Sequence, residues 1–144
     1  MTIAPFPHRY TVRLEDRVLL APPRDPIAAG PPPQFGGSDR VWSPEELLVG
    51  AVLECLWTTF EAYARRDRLV VHGWSGTGVA VLDKGAGGPT FTSITLAVEL
   101  VVAAADDERA RRLVVTAEEH CIISRALKVP VTIEVATTAA ARVA

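Results

Sequence analysis

One long amphipathic helix is the feature that most constrains how this chain can fold. Ser43 is predicted as its N-cap, with Pro44 as first residue and Glu46 three residues after the cap, the pattern of a capping box. The helix is predicted to run to about Arg66, and Gly50 in its interior predicts the close approach of another element. One face carries residues at three- and four-residue spacing: Leu48, Val52, Cys55, Leu56, Thr59 and Tyr63. We expect this face to be buried, with Cys55 in its middle.

The segment before the helix predicts little regular structure. Residues 8–22 alternate in polarity and predict two short strands with a turn near Glu15–Asp16. Residues 22–41 contain six prolines, which remove backbone donors, so we expect a long irregular loop.

The segment after the helix predicts a hairpin, a second helix and a last strand. The expected elements are a strand at 69–82, a loop at 83–89, a strand at 90–102, a helix from about Asp107 to His120 capped by Asp106, and a strand at 131–136. The tail, 137–144, is expected to fray. With 144 residues, the chain is expected to form a single α+β domain.

Charge and hydropathy exclude several classes of function. The net charge of −2 provides no excess of basic residues for binding nucleic acid. No run of about 18 uninterrupted apolar residues predicts a membrane span. The N-terminal residues lack the basic and apolar regions of a secretory signal, so we expect a cytoplasmic protein without membrane association.

Chemistry in this sequence centres on two cysteines, Cys55 and Cys121, which lie 66 residues apart and form no CxxC motif. Such a pair in a reducing compartment is usually buried and inert. A reactive Cys55 would need a cation from elsewhere, and composition does not choose among thirteen arginines. The histidines are scattered, and His120 beside Cys121 has no evident partner pair, so no metal site is expected.

Two sequence runs resemble one family. WSPEELLVGAVLECLWTTF (Trp42–Phe60) and AEEHCIISRAL (Ala117–Leu127) are similar to the two cysteine motifs of the OsmC/Ohr family, thiol-dependent peroxidases that act on organic hydroperoxides. The upstream PPPQFGGSDRVWSPEELL favours the OsmC-like branch. The resemblance implies an α+β fold in which curved antiparallel sheets surround a long central helix, and two chains intertwine into a homodimer.

The resemblance also implies roles for the two cysteines. Cys55 matches the peroxidatic cysteine, which becomes a sulfenic acid as the hydroperoxide becomes an alcohol. Cys121 matches the resolving cysteine, which would form a disulfide with Cys55. An external dithiol, of lipoyl type in part of the family, would then reduce the disulfide. No metal, flavin, haem or nucleotide cofactor is implied.

Two further residues match the family's site. Glu45 matches its helix-start glutamate, although ten helical residues place it about 15 Å from Cys55 of its own helix. Another chain would therefore have to supply it. Arg17 is the best match to the arginine that supports the thiolate, with Arg13 and Arg9 as alternatives. Ile122 stands where the family often has proline.

Two hypotheses without catalysis remain open for the function of the chain. The chain could be a dimer of the same fold that binds an apolar small molecule, with silent cysteines, or a protein whose cysteines only sense oxidants.

An apolar pocket would favour alkyl or lipid hydroperoxides as substrates, and its candidate lining is Leu56, Trp57, Phe60 and Phe91. Taken singly, each of these residues is more often an ordinary core residue.

Overall fold

The described residues, 5–141 of a computed structural model, form two compact units divided in sequence between Leu47 and Leu48. One helix, α1 (Pro44–Arg66), begins in the first unit and continues through the second. The predicted organisation as one domain stays a prediction.

The first unit contains a small antiparallel sheet. Strand β1 (Arg13–Glu15) pairs with β2 (Val18–Leu20), and β2 pairs with β3 (Ile27–Ala28). Positive φ angles of 47° at Asp16 and 65° at Arg17 close the two-residue turn between β1 and β2. This geometry matches the twist of a hairpin. The predicted hairpin at 8–22 is therefore confirmed, with strands shorter than expected.

The proline-rich segment is more ordered than its composition predicts. Its residues Ile27–Ala28 form β3, and Pro33–Phe35 form a 3-10 turn. A strand of two residues is too short to give a periodic pattern, so the sequence gives no signal for it.

The N-terminus of α1 is capped as predicted. The Ser43 N–H donates to Glu46 Oε2 at 2.8 Å, and the Glu46 N–H donates to Ser43 Oγ at 3.1 Å. These reciprocal bonds satisfy two backbone donors that the first turn leaves without helical partners. By length and composition alone α1 could also cross a membrane, a test that the core helix of a folded domain passes as well.

The buried face of α1 is rotated from the predicted one. Its fully or nearly fully buried residues are Val52, Leu56, Phe60 and Ala64. This stripe has i, i+4 spacing, so it follows a single line along the helix. Cys55 and Thr59 lie beside the stripe, half-buried, and not at its centre.

The second unit also contains a three-stranded sheet with order β4–β5–β6. Strands β4 (Val71–Gly85) and β5 (Gly88–Val102) are antiparallel, and β6 (Val131–Ala139) runs parallel to β5. The sheet is therefore mixed, and the expectation of purely antiparallel sheets is wrong for it. The predicted loop at 83–89 is wrong, because the strands pair as far as Gly85 and Gly88. Gly88, at φ 110°, has the backbone conformation that this tight connection requires.

The end of the chain is paired further than predicted. Residues 137–139 were expected to fray, but they continue β6 and pair with Leu100, Val101 and Val102. The Ala140 N–H also donates to the Val102 carbonyl at 2.9 Å. Residues 142–144 of the predicted frayed tail lie outside the described residues.

Strand β5 supplies the sheet's buried face. As its alternation predicts, five side chains are buried: Ile94, Leu96, Val98, Leu100 and Val102. They form one apolar cluster with the α1 stripe and with the buried residues of α2 (Asp107–Glu119), which are the predicted Ala110, Leu113, Val114 and Ala117. A short helix, α3 (Ile122–Ala126), follows with Cys121 as its N-cap.

Helix α2 is tied to its neighbours by two arginines. Arg111 pairs with Asp107 at 3.2 Å and donates to Thr137 Oγ1 of β6 at 2.7 Å. Arg109 donates to the carbonyl of Asp67, just past the C-terminus of α1. Asp106 occupies the predicted N-cap position, but its carboxylate pairs with Arg109 at 3.3 Å instead of capping the helix.

Close approach of α1 to the sheet depends on a glycine in β4. A Cβ added at Gly78 would overlap Val49 Cγ1 and lie 3.2 Å from Leu53 Cδ1, both on α1. The predicted close approach at Gly50 is wrong, because an added Cβ there meets no described atom within 4 Å. The close packing of α1 on the sheet therefore requires glycine at position 78 of β4 and does not require it at position 50 of α1.

These two glycines therefore predict opposite effects of alanine. Gly78→Ala should lower the free energy of unfolding by about 1–3 kcal/mol, because the helix must move off the sheet. Gly50→Ala should raise it by about 0.5–1 kcal/mol, since alanine is favoured in an open helical position. Urea unfolding of both variants measures the difference. A Gly78→Ala variant as stable as the starting protein would contradict the packing described here.

Candidate active site

The structure brings the two cysteines into contact. Cys55 lies half-buried on α1, and Cys121 is fully buried where α2 ends and α3 begins. Both are free thiols, and the Cys121 side chain is near enough to raise the pKa of Cys55. A disulfide requires such proximity of its two cysteines, so this pair is the one that could form it.

Two hydrogen-bonding groups besides Cys121 meet the Cys55 sulfur. They are the side chain of Thr59, one turn along α1, and the backbone of Ile123 in α3. Both lower the pKa of Cys55, because they stabilise the thiolate. Neither residue is predicted as a site residue from the sequence. The i+4 position of Thr59 on the same helix face could have indicated it.

The pKa of Cys55 is nevertheless raised above its ordinary value. Burial is the largest cause, and contact with the Cys121 thiol raises it further. Within residues 5–141, no cation is among the groups that shift this pKa. In these surroundings Cys55 is mainly a protonated thiol at neutral pH, and a reactive thiolate needs added positive charge.

The corner between α2 and α3 holds Cys121 through its backbone and through a side-chain pair. The Cys121 N–H donates to the Glu118 carbonyl at 2.9 Å, and the Arg125 N–H donates to the Cys121 carbonyl at 3.1 Å. Across the cysteine, Ser124 Oγ donates to Glu118 Oε2 at 3.1 Å. Burial raises the pKa of Glu118, and the bond from Ser124 partly opposes that shift.

Of the predicted pocket residues, Leu56 and Phe60 are fully buried in the core. They are therefore core residues and not pocket surface. Trp57 and Phe91 are half-buried. Trp57 packs against Trp74 of β4 with ring centroids 4.7 Å apart, and the sequence analysis did not include Trp74. Trp74 could not be predicted there, because the alternation of a strand does not show which helix residue an aromatic side chain contacts.

Arg17 and Glu45 both lie in the first unit. Arg17 occupies the β1–β2 turn in the left-handed region that a non-glycine residue rarely adopts, and its side chain forms no ion pair within residues 5–141. The alternative Arg13 is paired with Glu15 at 3.3 Å. Glu45 Oε2 is buried without a hydrogen-bond partner in the described part of the chain. The roles of Arg17 and Glu45 beside Cys55 stay predictions.

The histidine beside Cys121 has a structural partner. His120 ends α2, and its Nδ1 lies 2.8 Å from the Thr116 carbonyl. Within residues 5–141, no three His, Cys, Asp or Glu side chains are grouped so that they could hold a metal ion.

Comparison with known proteins places these residues in a family context. The sequence profile described as OsmC-like protein matches residues 36–136, which include both cysteines. No curated protein sequence is similar enough to the chain to count as a match.

Solved structures share the fold at low sequence identity. An OsmC-like protein of unknown function from Vibrio cholerae has a TM-score of 0.75 and 21% identity, covering 82% of each chain. An organic hydroperoxide resistance protein of Bacillus subtilis has a TM-score of 0.64 and 22% identity, covering 92% of this chain and 98% of that one. One from Legionella pneumophila has a TM-score of 0.68 and 18% identity, covering 92% and 99%.

The contacts of Cys55 predict how two substitutions shift its pKa. Cys121→Ala removes a group that raises this pKa, so Cys55 should be alkylated faster at neutral pH. Thr59→Val removes a hydrogen bond that lowers it, so alkylation should slow. The measurement is the rate of iodoacetamide addition at Cys55 between pH 6 and 10, read by peptide mass. Equal pH profiles for the three proteins would contradict these contacts.

Proposed function

We propose that this chain, which belongs to the OsmC-like protein family, is a thiol-dependent peroxidase that reduces organic hydroperoxides to alcohols. The observation that carries the proposal is the contact between the Cys55 and Cys121 thiols. The family match spans both cysteines, and two proteins that share the fold are named organic hydroperoxide resistance proteins.

The reaction would begin at Cys55. Its thiolate attacks the distal oxygen of the hydroperoxide, the O–O bond breaks, and the alkoxide leaves as an alcohol after taking a proton. The sulfur is oxidised to a sulfenic acid. Thr59 and the Ile123 N–H support this step because they stabilise the thiolate.

Cys121 would complete the cycle. Its thiol attacks the Cys55 sulfur, the sulfenic hydroxyl leaves as water with the thiol proton, and a disulfide forms. A dithiol of lipoyl type would reduce this disulfide by two exchange steps and leave as its own disulfide. All electrons then come from thiols, so the cycle requires no metal, flavin or other cofactor.

The positive charge that Cys55 lacks is assigned to Arg17 in this proposal. A guanidinium near the sulfur would offset the burial that raises the pKa of Cys55. Glu45 of a second copy of the chain, whose Oε2 is buried without a hydrogen-bond partner within residues 5–141, would hold the guanidinium by a charge-assisted bond. The unpaired state of the Arg17 side chain within residues 5–141 is consistent with this role.

We also propose that the protein works as a cytoplasmic homodimer. Large apolar side chains are exposed along the first unit: Tyr10, Val12, Leu14, Ile27, Phe35 and Trp42. Exposed apolar groups at this density are typical of an interaction surface. Trp57 and Trp74, half-buried and apolar, favour alkyl or lipid hydroperoxides as substrates.

One observation favours a second candidate function. The pKa of Cys55 is raised, and an unreactive thiol would suit a protein that binds an apolar small molecule or that reacts with oxidants without turnover. A protein that only binds an apolar molecule should not react with a hydroperoxide, whereas a peroxidase should. An oxidant sensor should react once, whereas a peroxidase should turn over repeatedly when a dithiol is supplied.

One equivalent of cumene hydroperoxide should remove both thiols of the protein. The intact mass should fall by about 2 Da per chain, because the product is the Cys55–Cys121 disulfide. In Cys121→Ser, one equivalent should convert Cys55 to sulfenic acid, and a further equivalent should over-oxidise it to sulfinic acid. Cys55→Ser, the control, should not react. Two free thiols after treatment of the starting protein would overturn the peroxidase proposal.

Removal of the Arg17 side chain should slow the first step. An opposite charge typically shifts a pKa by about one unit or more, so Arg17→Ala should reduce hydroperoxide consumption at neutral pH about tenfold. The loss should shrink as the pH rises and Cys55 ionises without help. Arg13→Ala, which removes an exposed ion pair, is the matched control. A slower Arg13→Ala beside an unchanged Arg17→Ala would reassign the role to Arg13.

A further inference from the structure

We propose that Glu118 and Ser124 are positioning residues that hold the Cys121 thiol against Cys55 through the hydrogen bond between their side chains. This proposal rests on the proposed function only in taking the disulfide between the two cysteines as a functional state. It assigns a task to a partly buried acid that the peroxidase cycle does not use.

The bond closes a short loop around the cysteine. Glu118 is in the last turn of α2, Cys121 is the N-cap of α3, and Ser124 lies within α3. Ser124 Oγ donates to Glu118 Oε2 at 3.1 Å, while the Cys121 N–H donates to the Glu118 carbonyl. Glu118 therefore restrains the corner through its backbone and through its side chain. One side-chain hydrogen bond thus joins the residue three positions before Cys121 to the residue three positions after it.

The same corner supplies two of the groups that meet Cys55. These are the Cys121 thiol and the backbone of Ile123, the residue before Ser124. A rotation of α3 relative to α2 would move both groups away from the Cys55 sulfur. The Ser124–Glu118 bond opposes that rotation because it joins the two helices.

The first residue of α3 adds little stiffness to the corner. Ile122 is 67% exposed. Proline at this position would have fixed φ, whereas isoleucine leaves it free. The helix has only five residues, so its own backbone bonds restrain it weakly.

Partial burial of the Glu118 carboxylate is unfavourable, so a role in packing alone would not explain an acid at this position. Burial disfavours its charged form, as its raised pKa records, and only Ser124 partly offsets that cost. It faces an open cavity of about 460 Å³ that is also lined by Glu119, Arg125 and Lys128. None of those three side chains forms an ion pair with Glu118 within residues 5–141. The specific partner of the carboxylate is therefore the Ser124 hydroxyl.

The equilibrium between dithiol and disulfide tests this proposal without any peroxide. The full chain is held in glutathione buffers, where one glutathione disulfide oxidises the two protein thiols and yields two glutathione molecules. Ser124→Ala should lower the equilibrium constant for disulfide formation about fivefold, the scale of one hydrogen bond. Ser124→Thr keeps a hydroxyl and should restore most of it.

Variants at the acid complete the test. Glu118→Gln keeps an acceptor and should stay close to the starting protein, whereas Glu118→Ala should match Ser124→Ala. The double variant Glu118→Ala/Ser124→Ala should be no worse than either single variant, because both remove one bond. Glu119→Gln, at the neighbouring exposed residue, is the control. Should one variant fail to fold, the others still decide.

A merely structural role gives a different result. It would lower the stability of the reduced and oxidised proteins equally, so urea unfolding would change while the equilibrium constant would not. An equilibrium constant for Ser124→Ala within twofold of the starting protein would overturn the proposal, and so would additive losses in the double variant.

Failure of the proposed function is recognised separately. If hydroperoxide leaves the starting protein's thiols intact but the glutathione equilibrium depends on Ser124, the peroxidase proposal falls and the positioning proposal stands. If hydroperoxide forms the disulfide but the equilibrium is insensitive to Ser124 and Glu118, only the positioning proposal falls.

Discussion

Burial of one helical stripe on one strand is the interaction on which the second unit depends. Val52, Leu56 and Phe60 of α1 are fully buried in the same cluster as alternate residues of β5. Each fully buried side chain of this kind contributes about 1.5–3 kcal/mol, so this contact fixes the rotation of α1. That rotation carries Cys55 to the edge of the buried stripe. The helix ends near Asp67, where Arg109 of α2 is also bound, and α2 leads directly to Cys121.

The same burial creates the chemical problem of the site. A thiol beside an apolar core loses water, and its pKa rises, although thiol chemistry needs the thiolate. Thr59 and the Ile123 backbone oppose that shift, and the proposed arginine would add to them. Contact with Cys121 raises the pKa further, yet it is also the contact that a disulfide requires. The Cys121 thiol therefore makes Cys55 less acidic, but it also places a second sulfur where a disulfide can form.

Much of the fold could be predicted because it depends on local patterns. The capping box at Ser43, the alternation in β5 and the buried face of α2 are each confirmed. The errors fall where strand pairing extends an element beyond its apolar pattern, across the adjacent turn at 83–85 and onto the remote strand β5 at 137–139. The glycine error has the same cause. Gly50 and Gly78 look alike in sequence, and only the packing of α1 on β4 distinguishes them.

For the candidate site, the sequence by itself determined the residue types, the order of the motifs and the two cysteines, because a family resemblance is carried by residues close together in the chain. The resemblance already implied that Cys55 pairs with Cys121. Tertiary structure alone decided that Cys55 lies beside the buried stripe, that Thr59 and Ile123 also meet its sulfur, and that Glu118 binds Ser124. It also decided that Leu56 and Phe60 are core residues. The physical reason is the rotation of α1 and the angle between α2 and α3. Both are set by the packing of side chains that lie far apart in the chain, such as Val52 of α1 and Ala117 of α2, which no local pattern encodes.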